Sequence, residues 1–137
     1  MRVVAGLTAF MLASCSTSNE CPYMDFQEFR VADRALITVD SNAIDDEIRS
    51  VDRLRALVDF AEEHNSGWSS PVFGPPIARL SVQFFVGNRF LGDFGVGTDF
   101  LAAQGCGYFY SRAVSAADRQ KLIALIGVPD PYATAKR

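Results

Sequence analysis

Residues 78–97, ARLSVQFFVGNRFLGDFGVG, carry the most distinct β pattern in the chain. From Leu80 to Phe84, apolar and polar residues alternate, which is typical of a strand with one buried face. Gly87-Asn88 favours a tight turn, and Phe90–Val96 then continues as the returning strand. We therefore expect a β-hairpin here, and an antiparallel sheet built outward from it.

Three more strands are predicted around this hairpin. Residues 29–40 contain alternating Phe29 and Val31 and then a run rich in β-branched side chains, and residues 44–49 follow across a Ser-Asn turn. Residues 108–112, which begin Tyr-Phe-Tyr, supply the last strand. The sheet should therefore contain about four or five strands.

Two helices are predicted from capping residues and apolar spacing. Ser50 predicts the N-cap of a helix over about 51–64, in which apolar residues recur at helical spacing. Ser115 with Asp118 resembles a capping box that opens a helix over 116–126. The order ββαβββα predicts a two-layer α+β domain, with both helices on one face of an antiparallel sheet.

The N-terminus has the pattern of a secretory leader. Met1-Arg2 is positive, and Val3–Leu12 contains no charged residue. As a helix this run would span about 15 Å, roughly half of a bilayer core, so it is too short to cross a membrane. Leu12-Ala13-Ser14-Cys15 follows at once and resembles the lipobox of bacterial lipoprotein precursors.

This resemblance implies that the Cys15 thiol receives a diacylglyceryl group, that the leader is cut before it and that the new amine is acylated. In such proteins an Asp directly after the lipidated cysteine tends to retain the protein at the inner membrane. This chain has Ser16 at that position, so the resemblance also implies the outer membrane, on its periplasmic side. The alternative is an ordinary cleaved signal peptide. The predicted organisation is a signal peptide at 1–14, an acylated tether at 15–27, a single domain at 28–129 and a flexible tail at 130–137.

Charge argues against a nucleic-acid partner. Removal of the leader takes away only Arg2, which leaves 12 basic and 16 acidic residues and a net charge of −4. Residues 20–63 hold 12 acids and 5 arginines, whereas residues 64–137 hold 4 acids and 7 bases. Folding can interleave these halves and offset the difference; if they stay apart, the acidic half would attract a basic partner.

Two cysteines remain once Cys15 is lipidated. In an oxidising compartment Cys21 and Cys106 predict one disulfide, with two free thiols as the alternative. The bond would close a loop of about 85 residues, for which the loop-entropy estimate is about 4.5 kcal/mol.

Two stretches are candidates for binding a protein partner. Trp68, the single tryptophan, and Phe73 lie in a loop rich in proline, which either forms a binding surface or folds onto its own core as a lid. Asp45, Asp46 and Glu47 form an acidic run, for which a solvated charge cluster is the alternative.

Catalytic and metal-binding patterns are weak. His64 is the only histidine, there is no Gly-x-Ser-x-Gly nucleophile motif, and the acidic run lacks the oxygen-ligand spacing of an EF-hand calcium loop. The sequence does not exclude a pair of carboxylates for glycoside hydrolysis, because the two partners of such a pair meet only in the folded protein. We expect no enzyme activity, no metal and no cofactor.

The sequence therefore predicts an envelope lipoprotein with a non-catalytic domain that binds a protein partner, an inhibitor or immunity-type role being one form of this. The alternative is a structural or assembly accessory of an envelope complex. The domain also resembles small exported bacterial proteins with a tryptophan after the first helix and a Phe-x-Gly-x-Gly strand, here Phe94-Gly95-Val96-Gly97. That resemblance implies no activity.

Overall fold

The computed structural model describes residues 24–70, 77–105 and 108–133, in which one antiparallel sheet is packed against two helices. The strands are β1 (Arg34–Val39), β2 (Asn42–Ile48), β3 (Leu80–Val86), β4 (Arg89–Val96), β5 (Phe100–Gly105) and β6 (Tyr108–Ala113). The helices are a 3₁₀ helix (Gln27–Val31), α1 (Val51–Glu63) and α2 (Ala116–Ile126).

The strand order is β2-β1-β3-β4-β5-β6, and each neighbouring pair is antiparallel. The predicted hairpin is confirmed as β3–β4, with Leu80 paired to Val96 and Val82 paired to Phe94. Gly87 turns the chain with φ +55°, a conformation that glycine adopts readily. The α+β class is confirmed, and the sheet has six strands where four or five were predicted.

Two local predictions differ from the structure. Phe29 and Val31 were expected to open a strand, but they belong to the 3₁₀ helix, because the Phe29 ring stacks on Phe84 of the sheet at 4.3 Å. The additional strand is β5, whose Ala-Ala-Gln-Gly sequence has little β propensity of its own. It forms because it pairs with β4 on one side and with β6 on the other.

Both helices begin where the capping residues predict. The Ser50 hydroxyl accepts a hydrogen bond from Arg53 N at 3.4 Å, and the Ser115 hydroxyl accepts one from Asp118 N at 3.1 Å. Gly127 ends α2 in the left-handed conformation, with φ +78°. In the described ranges no helix has both the length and the apolar character that crossing a bilayer requires.

One core lies between the helices and the sheet. The inward-facing residues of the strands meet the buried residues of α1 and α2 in a single cluster, so both helices cover the same face. The largest buried side chains in it are Phe60, Phe84, Ile37, Ile48, Leu80, Leu101, Leu122 and Ile126.

The folded region begins earlier and ends later than the predicted 28–129 domain. Met24 and Phe26, assigned to the tether, are buried in the core. Beyond residue 129, Asp130 is ion-paired with Arg119 at 2.6 Å, and the Tyr132 hydroxyl accepts a hydrogen bond from Arg79 N. The start of the predicted tail is therefore packed against the domain.

Candidate functional site

The structure places Trp68 inside the domain, which corrects the expectation that it contacts a partner. Its ring packs edge-on against Phe26 and Phe94, with centroids 5.9 and 6.0 Å away. Its indole N–H donates to the His64 carbonyl at 2.7 Å. Since the ring is buried and its polar atom is already bonded, Trp68 fastens the chain after α1 to the core.

The acidic run lies on β2, at one edge of the sheet. Asp46 and Glu47 are exposed, and Glu47 is paired with Arg49 at 2.6 Å and with Arg34 at 3.3 Å. The structure does not describe the side chain of Asp45. Glu47 is thus paired with arginines of its own domain. Asp46 faces solvent and has no ion pair among the residues described.

The acidic and basic halves of the chain exchange ion pairs in the fold. Asp40 pairs with Arg79 at 2.7 Å, and Glu63 lies 3.8 Å from Lys121. These contacts offset part of the charge difference between the halves.

Several predicted site residues fall outside the described ranges. They are Cys15, Cys21, Phe73 and Cys106. Lipidation at Cys15 and the disulfide between Cys21 and Cys106 stay predictions.

A groove of about 340 Å³ separates the 3₁₀ helix from the first turns of α1. We call it the helix groove; it is lined by Phe29, Arg30, Ala32, Asp33, Val51, Leu54, Arg55 and Val58. Phe29, Leu54 and Val58 are buried in the core and form an apolar floor. Val51, in contrast, is 66% exposed at the first position of α1. The groove thus opens the apolar core to the surface.

Charged side chains surround this floor. Arg30 donates to Asp59 at 2.7 Å and also to Glu62, so its guanidinium is held against α1. Asp33 accepts a hydrogen bond from Gly87 N at 3.0 Å, which ties the groove to the β3–β4 turn. Arg55 is exposed and makes no ion pair within the described part of the chain. Buried apolar side chains next to arginine side chains are typical of the central part of protein interfaces.

His64 has a structural arrangement. Its Nδ1–H donates to the Phe60 carbonyl at 2.7 Å, and its Nε2 lies 3.3 Å from Asp118 Oδ2, at the start of α2. The hydrogen bond from His64, followed by the contact with Ser115, lowers the pKa of Asp118. Because both ring nitrogens are engaged, His64 links the end of α1 to the beginning of α2.

Within residues 24–70, 77–105 and 108–133, no three His, Cys, Asp or Glu side chains are placed to hold a metal ion together. Comparison of the chain with family models, curated protein sequences and solved structures found no match.

Sequence reasoning missed the helix groove because half of it comes from a segment expected to be a strand. The sequence held no signal of it, because Val51 precedes Leu54 by three residues and Val58 by seven and so continues the apolar stripe of α1. The structure shows that Val51 is exposed, although its spacing is that of a core residue.

Proposed function

We propose that this chain is a lipid-anchored protein of the bacterial cell envelope, whose domain binds a protein partner without catalysing a reaction. An inhibitor or immunity-type role is the form we favour. The anchor rests on Leu12-Ala13-Ser14-Cys15, and the binding role rests on the helix groove. Cys15 is the lipid attachment point, and the membrane that holds it is the outer membrane, on its periplasmic side.

The observation that carries the binding role is the exposure of Val51 above a buried apolar floor. A partner that inserts an apolar side chain beside Val51 would remove that surface from water, at about 25 cal/mol per Å² of apolar area. Exposed Arg55 offers that partner a hydrogen-bonding group at the rim. Arg30 and the one carboxylate of the groove, Asp33, are held in contacts with α1 and with the β3–β4 turn, which supports binding over catalysis.

The binding role can be tested with two matched substitutions. Val51→Glu places a carboxylate at the groove, and the first turn of a helix accommodates a negative charge well. Val31→Glu makes the same change at a residue of similar exposure, 56%, which does not line the groove. Full-length protein is isolated from envelope membranes after chemical cross-linking, and co-purifying proteins are identified by mass spectrometry.

We expect wild type and Val31→Glu to retain the same specific partner and Val51→Glu to lose it. A secreted toxin or cell-wall hydrolase as that partner supports the inhibitor role, whereas components of an envelope complex indicate the accessory role. Equal recovery of the partner with Val51→Glu would contradict binding at the helix groove.

The anchor has a separate test. Intact-mass measurement of the native product should show an N-terminal Cys15 that carries acyl chains, and Cys15→Ser should abolish that mass increase. Recovery of the wild-type protein from buffer without detergent, with an unmodified N-terminus, would contradict lipidation.

A further inference from the structure

The sheet face opposite the helices contains a row of small side chains. Strand register places Ser81 of β3 beside Gly95 of β4, and Gly95 beside Ala102 of β5. The same row continues to Thr38 of β1 and to Ser111 of β6. At Gly95 this small size is used by the chain itself, since an added Cβ would lie 2.8 Å from the Cβ of Ala78, which packs over the strand there.

The middle of this row, Ser81, Gly95 and Ala102, lines a second cavity of about 310 Å³ together with Ala78, and we call this cavity the sheet trough. Ile77 and Phe109 also line it, and both are exposed, Phe109 by 54%. Asp93 lies at its wall, on the same face of β4 as Gly95. The trough thus combines a floor of small residues, apolar walls that face solvent and one carboxyl group.

Asp93 is the one titratable side chain among the described residues that line the trough. Across the sheet it faces Gln83 of β3, which is neutral. It has no ion pair and no side-chain hydrogen bond to another residue in the described ranges, although it is partly buried. Burial raises the pKa of Asp93, because the charged form loses part of its hydration.

Two arginines in or next to the sheet are engaged by other groups. Arg79 is bonded to Asp40, and Arg112 donates to the Ser66 carbonyl at 2.7 Å. Neither arginine is therefore available to pair with Asp93. Since partial burial removes part of the hydration of the Asp93 carboxylate, a cation that pairs with it has an electrostatic advantage.

We propose that the sheet trough binds the guanidinium of an arginine side chain presented by a partner protein. Asp93 accepts its hydrogen bonds, the Phe109 ring provides a stacking face, and the methyl groups of Ala78 and Ala102 contact the methylene stem. Guanidinium fits these features better than ammonium, because it is planar, stacks on aromatic rings and is more weakly hydrated. Arginine recognition here is separate from the helix groove, which lies on the other side of the sheet.

The test is an NMR titration of ¹⁵N-labelled full-length protein in non-ionic detergent micelles. The probe is Nα-acetyl-arginine methylamide, and the matched uncharged probe is the corresponding citrulline derivative. We expect the arginine probe to shift the amide signals of Asp93, Gly95, Ala102 and Phe109 with a millimolar dissociation constant. The citrulline probe and the corresponding lysine probe should each bind at least several-fold more weakly.

Asp93→Asn should weaken arginine binding about tenfold or more, since it removes a charged hydrogen bond. Asp99→Asn is the matched control, because Asp99 is exposed in the β4–β5 connection and does not line the trough. In wild type, binding should weaken as the pH falls and Asp93 takes up a proton, and this pH dependence should be absent from Asp93→Asn.

Equal binding of arginine and citrulline, or unchanged affinity in Asp93→Asn with a folded spectrum, would overturn the proposal. Equal binding of lysine would overturn the assignment to guanidinium. Val51→Glu should leave arginine binding unchanged, so failure at the trough and failure at the helix groove are distinguishable.

Discussion

Replacement of Phe94 by alanine should remove a large part of the domain's stability. Phe94 is buried on β4, and its ring makes edge contacts with Phe26, Phe60 and Trp68, with centroids 5.4, 6.3 and 6.0 Å away. Truncation of a core phenylalanine costs about 3–5 kcal/mol, and each aromatic pair adds about 0.5–1.5 kcal/mol to the effect of area alone. Because three such pairs are lost at once, we expect a loss in the upper part of the range for core phenylalanines, about 4–5 kcal/mol.

Urea unfolding followed by the fluorescence of Trp68, the single tryptophan, measures this loss beside the substituted ring. With a urea dependence of about 2 kcal/mol per molar, the midpoint should fall by about 2 M. Phe90→Ala, on the same strand but at a residue 50% exposed, is the control and should cost under about 1 kcal/mol. If Phe94→Ala proves too unstable to purify, Phe94→Leu should fall between the two. A loss in Phe94→Ala no greater than that in Phe90→Ala would refute the view that this ring joins the segments of the core.

Three further substitutions test the electrostatics and the backbone. Asp130→Asn should lower stability by about 2 kcal/mol at pH 7, because the Asp130 carboxylate is ion-paired with Arg119 of α2, which lowers the pKa of Asp130. Urea unfolding at pH 7 and at pH 3 measures this difference. The difference should be smaller at pH 3, where the carboxylate of the folded wild type also takes up protons. Asp93→Asn should act in the opposite direction. Because burial raises the pKa of Asp93, the folded wild type loses stability as the pH rises above about 4, where this carboxyl ionises more readily in the unfolded chain. The variant should therefore have a higher Tm than wild type at pH 7 and the same Tm at pH 3. Gly127→Ala should cost about 1 kcal/mol more than Gly67→Ala in urea unfolding, although both glycines have φ near +79°. Only at Gly127 would an added Cβ, 2.9 Å from Nη2 of Arg53, push that atom away from the Leu125 and Ile126 carbonyls to which it donates. Equal losses in the two glycine variants would contradict a role for that contact.

The helices were predictable because their signals are local. Ser50 and Ser115 each bond a backbone N–H three residues ahead, so the start of each helix is determined within one turn of chain. The α2 bounds match the prediction, and α1 ends at Glu63, one residue earlier than predicted. His64 leaves the helical conformation there while its ring bonds to Phe60 and contacts α2.

The elements that were not predicted depend on distant partners. The 3₁₀ helix buries Phe29 against Phe84, more than fifty residues later, and alternation of Phe29 with Val31 contains no information about that contact. The sequence left two positions open for Trp68 for a similar reason, since a tryptophan in a proline-rich loop looks the same whether it faces a partner or its own core. Contacts with Phe26 and Phe94 settle the matter in favour of the core.

The sheet trough could not be predicted, because one of the strands that line it, β5, was not predicted. Asp93 has the sequence appearance of an ordinary solvated acid on the outer face of a strand. What sets it apart is the floor beside it, where Gly95 lies next to Ala102 across the β4–β5 pair. Because Ala-Ala-Gln-Gly carries almost no β signal, Ala102 could not be assigned a face, and the small-residue row could not be traced beyond β4. Register with both neighbouring strands, and not local propensity, therefore determines the strand and the cavity together.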